Sequence, residues 1–153
     1  MRTLDGEYAP SPIDFVSEQV RRYEDSDGRE GATLEGRPVI ILTHRGAKTG
    51  KLRKTPVMRI PHNNGYLAVA SYGGAPINPA WYHNLRAHSL VEVQDGATIT
   101  TMTAREASTA DKAELWPVCE AAWAHFPEYR ASAAAREIPI FVLVPIELTG
   151  GDQ

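Results

Sequence analysis

Apolar positions fall into blocks along this chain of 153 residues, and the period of each block differs. Ile13, Val16, Val20 and Tyr23 recur at three- and four-residue steps, which is one face of a helix. Ser11 can cap it, Pro12 suits a first helical position, and Asp14 lies near the positive dipole end. The stripe is expected to pack on a core, ahead of covering a membrane surface or a substrate pocket, because Glu18, Arg21 and Arg22 occupy the other face. Residues 1–10 read as a tail and residues 24–36 as a polar loop. Val39-Ile40-Ile41-Leu42 is an unbroken apolar run, the signature of a strand buried on both faces. Thr55-Pro56-Val57 is extended again.

Later blocks have period two. Asn63-Asn64-Gly65 separates two extended runs and predicts a hairpin whose returning strand covers residues 66–71. Tyr72-Gly73-Gly74 then forces a turn. Asn78 can cap a short helix with Pro79 at its first position, placing Trp81, Tyr82 and Leu85 on one side. Residues 90–94 and 98–105 form a hairpin with Asp95-Gly96 at its tip. Ser108, with Asp111 three residues on, opens the longest helix, bent at Pro117 and ended by Pro127. An alanine-rich piece over residues 131–136 reads as helical. Residues 138–146 are a buried strand with prolines toward its ends. Short antiparallel strands, tight turns and a few helices indicate a barrel-like α+β domain. We divide it into residues 1–36 (tail, short helix, loop) and residues 37–148 (the barrel), within one domain overall.

Composition is that of an ordinary globular chain, with 42% apolar and 23% charged residues. Charge changes the picture more. The net formal charge is −3, yet Arg45, Lys48, Lys51, Arg53 and Lys54 lie within ten residues, so the rest of the chain carries −8. Concentration of positive charge in one loop speaks for a small polyanion and against nucleic acid, which needs a basic face. Gly46 and Gly50 permit backbone shapes that bring N–H groups toward such an anion. No apolar run approaches a bilayer span and no signal core opens the chain, so the expected location is the cytoplasm, with membrane contact at most peripheral.

Other chemistries fail on spacing. Gly46-Ala47-Lys48-Thr49-Gly50-Lys51 has three residues between its glycines, followed by Leu52 and then Pro56, which does not make a nucleotide-binding P-loop. The five histidines and Cys119 show no metal-ligand spacing. Ser71 lacks the G-x-S-x-G setting of a hydrolase nucleophile. It does end a strand beside Gly73-Gly74, where small residues admit a planar ring.

In the order LTHRGAKTGKLRKTPV, YLAVASYGGAPINPAWYHNL, VEVQDG, FPEY and REIPIFVLVP, the chain resembles the deazaflavin-dependent nitroreductase and quinone reductase family. The resemblance implies a split β-barrel of the flavin-reductase-like, FMN-binding type. It also implies coenzyme F420, a deazaflavin with a phosphate and an oligoglutamate tail, and hydride transfer to a quinone-like or nitro acceptor. Lys48, Thr49, Gly50 and Arg53 would meet the phosphate side, and Lys51 and Lys54 the tail. Pro56, Val57 and Met58 would flank the ring. Ser71, Gly73, Gly74, Asn78, Pro79, Ala80 and Trp81 would close its other sides. Ser71 and Tyr129 would act on the acceptor. Alternatives of other classes are an FMN-dependent split barrel and a non-catalytic F420 carrier; split barrels also pair into homodimers. Three positions depart from the family pattern: Ala47 where a basic residue is frequent, Tyr72 where lysine occurs, and no second tyrosine shortly after Tyr129.

Overall fold

The apolar run at residues 39–42 becomes the centre of β2 (Arg37–Arg45), in which six consecutive residues are buried. A strand buried on both faces needs neighbours on both edges, and β2 has them. On one edge it pairs antiparallel with β3 (Leu52–Met58), from Val39 opposite Met58 to Arg45 opposite Leu52. On the other it pairs with β6 (Leu90–Asp95), with Leu42 opposite Val93. In this computed structural model residues 4–133 and 136–146 are described.

From β6 the antiparallel sheet continues through β7 (Thr98–Glu106), β8 (Ile140–Pro145) and β5 (Gly65–Val69) to the short β4 (Pro61–His62). Within the polar loop a two-residue strand, β1 (Thr33–Leu34), pairs with the start of β2. The sheet curls into a half-barrel with helices against it, the split-barrel form expected of the sequence. Inside the curl lies a core that includes Ile40, Leu42, Ala68, Val91, Phe141 and Leu143; Trp81, Tyr82 and Leu85 of α2 (Ala80–Ala87) close it. A second core packs α3 (Thr109–Ala122) and α4 (Phe126–Ser132) on the outer side of β5 and β8.

Turn chemistry explains the tight places. Asn63 takes a positive φ of 53° and Gly65, although in a strand, has no room for a side chain: a Cβ there would lie 1.9 Å from the Leu143 carbonyl oxygen. The β6–β7 turn is Gly96-Ala97, one residue later than expected, since Asp95 still pairs with Thr98. Beside it, Tyr66 donates to Asp95 at 2.6 Å and Arg59 pairs with the same carboxylate at 2.9 Å.

Helix boundaries differ from the sequence expectations for identifiable reasons. The first helix, α1 (Asp14–Asp25), starts after Ser11, whose hydroxyl accepts from Ile13 N–H instead of capping. Pro79, not Asn78, stands at the N-cap of α2, because Asn78 is taken by Arg136. Ser108 does cap α3, accepting from Asp111 N–H at 3.1 Å, and Pro117 lies inside that helix. Pro127 begins α4 instead of only ending α3, consistent with its tolerance in a first turn. Ala131 and Ser132 belong to α4, while residues 134–135 of the alanine-rich piece and residues 147–148 lie outside the described residues. Of the N-terminal residues, Leu4 is buried and the backbone of residues 7–9 bonds to Leu52, so this part runs along β3.

Candidate functional site

A cavity of about 430 Å³ opens along β3. Every residue from Arg53 to Met58 lines it, a length of roughly 17 Å at the rise of a strand. Further lining comes from Ser71, Tyr72 and Gly73 after β5, and from Pro79, Ala80 and Trp81 at the start of α2. Trp123, Phe126 and Tyr129 enter from α3 and α4. The apolar stripe of α1 divides its work: Val20 and Tyr23 pack on Val39 and Ile41, whereas Ile13, Phe15 and Val16 line the cavity. The structure therefore brings Arg53, Lys54, Pro56, Val57, Met58, Ser71, Gly73, Pro79, Ala80, Trp81 and Tyr129 together, and leaves Lys48, Thr49, Gly50, Lys51, Gly74 and Asn78 off the cavity wall.

The β2–β3 loop is a tight, internally bonded turn. Gly46 N–H donates to Lys51 O at 2.7 Å, Gly50 N–H to Gly46 O at 3.0 Å, and Lys51 N–H to the Thr49 hydroxyl at 3.2 Å. Gly50 holds a φ of 72°, the left-handed region that favours glycine. Its five cations are not equivalent. Arg45 is spent on structure, donating to Gly50 O and Asp5 O at 2.8 Å each. Lys54 is almost buried, paired with Glu24 of α1 and set over the Tyr8 ring at 5.0 Å. Lys51 makes an exposed pair with Glu7 at 3.4 Å, a contact worth little against solvent. Among the described residues Lys48 and Arg53 have no carboxylate partner, Lys48 standing exposed on the loop and Arg53 on the cavity wall.

Beneath that loop runs a chain of polar contacts centred on the buried His44. Ala47 N–H donates to Asn84 Oδ1 at 2.9 Å. Asn84 Nδ2 lies 3.0 Å from His44 Nδ1, and His44 Nε2 lies 3.1 Å from the Thr55 hydroxyl. Burial, and then the Arg53 charge, push the His44 imidazole down to about 3. His44, Thr55 and Asn84 border the cavity and were missed by sequence reasoning, which tested histidines for metal spacing only. The N-P-x-W-Y-x-N-L run, in which Asn84 is the last polar residue, was the signal available.

The turn after β5 is built around Arg136. Its guanidinium donates to the carbonyls of Ala70 (3.1 Å), Ser71 (2.9 Å) and Ala75 (2.8 and 3.0 Å), and to Asn78 Oδ1 at 2.5 Å. Tyr72, Gly73 and Gly74 all have positive φ. The two glycines serve different ends. Gly73 faces open space, whereas a Cβ on Gly74 would come within 2.9 Å of the Tyr129 Cα, so Gly74 lets α4 approach. On α4, the Tyr129 hydroxyl accepts from Trp123 Nε1 at 3.2 Å, which leaves its own proton free to donate. Cys119 is fully buried and its thiol is pushed up to about 12, mainly by burial, so it takes no part in the cavity's chemistry.

Comparison with known proteins adds an independent line. The family profile described as F420H(2)-dependent quinone reductase matches residues 15–145. An F420H(2)-dependent quinone reductase of Mycobacterium tuberculosis is 36% identical over 124 residues, covering 79% of this chain and 83% of its own. Two solved structures are similar. One, an F420-H2 dependent reductase, is 39% identical with a TM-score of 0.65, covering 70% of this chain and 94% of that one. The other, described as a domain-swapped dimer, is 38% identical with a TM-score of 0.67, covering 87% of this chain and 99% of that one. A haem storage protein from Vibrio cholerae shares the fold alone, at 11% identity and a TM-score of 0.55.

Proposed function

The chain belongs to the F420H(2)-dependent quinone reductase family, and from that premise we propose how its cavity serves the reaction. It is an oxidoreductase that uses reduced F420 to reduce quinone-like, activated acceptors. The donor set fits such a cofactor. One stretch of the cavity wall is apolar (Pro56, Val57, Met58, Trp81), as a planar ring requires, and its loop end offers Arg53 with Lys48 nearby in sequence for an anionic group. The observation that carries this reading is the continuous run of β3 from Arg53 to Met58 along one cavity, since it joins a cationic end to an apolar wall over the length of an elongated ligand.

When bound, the reduced deazaflavin supplies the hydride. What remains for the protein is placement and one proton. Gly73, with no side chain and open space before it, lets a planar group lie against the backbone beside Ser71. The acceptor takes its site near Ser71 and Tyr129, and Tyr129, held by Trp123, donates the proton that accompanies the hydride. Lys48, Thr49 and Arg53 would hold the phosphate, with Gly50 shaping the turn that presents them; Lys51 would give up its exposed contact with Glu7 to meet the glutamate tail. Lys54 and Asn78 act through the protein instead, the first fixing α1 and the second fixing the turn. Two copies of the chain pair in solution, a reading supported by the domain-swapped relative and tested by its sedimentation mass.

Titration with F420 and with FMN at equal salt tests the cofactor. Binding of F420 with turnover of a quinone is the expected result; tight FMN binding without F420 binding overturns it. Binding without turnover across quinones, nitroaromatics and unsaturated carbonyls would make the protein a carrier instead.

A further inference from the structure

The polar chain under the cationic loop dictates the direction of every proton along it. A backbone N–H only donates, so the Ala47 contact fixes Asn84 Oδ1 as acceptor and turns the amide nitrogen of Asn84 toward His44. That nitrogen also only donates, so His44 Nδ1 must be bare. A neutral imidazole with a bare Nδ1 carries its proton on Nε2, which then donates to the Thr55 oxygen at 3.1 Å. Among the described residues Thr55 Oγ1 has no other side-chain or backbone partner, and Thr55 lines the cavity. Its own O–H is the group left over.

We infer that Asn84 and His44 are positioning residues that turn the Thr55 hydroxyl proton away from His44 and set it as a hydrogen-bond donor toward an oxygen acceptor of the cavity's ligand. The inference rests on the functional reading above and extends it to three residues outside the expected set. In a deazaflavin cofactor the acceptor is a ring carbonyl or a phosphate oxygen. A hydroxyl able to rotate can point its proton anywhere; one that accepts from His44 keeps its proton off that axis and turned toward the cavity, which favours a ligand edge bearing oxygen over one bearing N–H. Burial of His44 beside Arg53 keeps the imidazole neutral, so the direction holds throughout the physiological pH range.

Asn84→Asp is the discriminating variant. Its carboxylate still accepts from Ala47 N–H but cannot donate to His44, so the imidazole proton moves to Nδ1, Nε2 becomes an acceptor, and the Thr55 hydroxyl turns inward. Three measurements decide: ¹⁵N chemical shifts of the His44 ring, the F420 dissociation constant, and the absorbance spectrum of the bound cofactor. The wild type should show a protonated Nε2. Thr55→Val and Asn84→Asp should each weaken F420 binding about tenfold, the order of one lost hydrogen bond, and, with the ring carbonyl as acceptor, shift the bound spectrum in the same sense, whereas Thr55→Ser should retain wild-type values. A deazaflavin riboside without phosphate or tail separates the two acceptors: equal loss of its affinity assigns the ring carbonyl, and no loss assigns the phosphate. A wild-type ring protonated on Nδ1, or normal F420 binding by both Thr55→Val and Asn84→Asp, overturns the relay alone. Failure of the wild type to bind F420 overturns the functional reading and the ligand assignment with it.

Discussion

His44 is 2% exposed with both ring nitrogens engaged, and that arrangement has a measurable consequence for stability. Its imidazole stands near 3 when folded, against an ordinary value of 6.5, so the unfolded chain takes up this proton first as pH falls. The stability it contributes is complete above pH 6.5 and is lost between pH 6.5 and 3, at up to about 1.4 kcal/mol per pH unit. Urea unfolding from pH 7 to pH 4 should show this slope in the wild type and a shallower one in His44→Gln. Gly65→Ala offers a second residue-scale test: the added carbon meets the Leu143 carbonyl, so the β5–β8 pairing must give way and the melting temperature should fall steeply. The loop's excess charge was legible in the sequence because it is local. The role of His44 was not, since its partners stand 11 and 40 residues away and no spacing rule connects them.

At the scale of elements, α1 and the turn after β5 are each tied down by polar contacts. Tyr23 pins α1 to the β6–β7 turn, its hydroxyl accepting from Gly96 N–H at 2.7 Å and facing Gln94 O at 3.3 Å. Tyr23→Phe should cost about 1 kcal/mol in global unfolding and raise the F420 dissociation constant, because the same helix carries Ile13, Phe15 and Val16 to the cavity. Arg136→Gln frees three carbonyls and Asn78 together; the cavity's edge at Ser71 loosens, and affinity should drop further than the melting temperature alone implies. Strands were readable from their periods, down to the β2–β3 and β6–β7 pairings. Helix starts were less so, because Ser11 and Asn78 have the side chains of caps but bond elsewhere: Ser11 to Ile13, and Asn78 to an arginine 58 residues on.

Over the whole molecule, a chain of net charge −3 sets two cations without a carboxylate partner among the described residues close together, Arg53 on the cavity wall and Lys48 on the loop that leads into β3. Lys48→Ala should weaken F420 binding at low salt and matter progressively less toward 0.5 M salt, since exposed contacts are screened within roughly a Debye length. Comparing salt titrations of the two proteins checks this. Of the cavity's walls, β3 lies off the path that joins the other seven strands, and among the described residues its backbone hydrogen bonds run to β2 and to residues 7–9. An occupant that bridges β3 to the start of α2 does the work of a missing neighbour. By mass action it should add about 2.7 kcal/mol at a hundredfold excess over its dissociation constant. The lifetime of this protein in a cell then follows its supply of cofactor: a shortage would appear as lowered abundance through proteolysis before it appeared as idle enzyme.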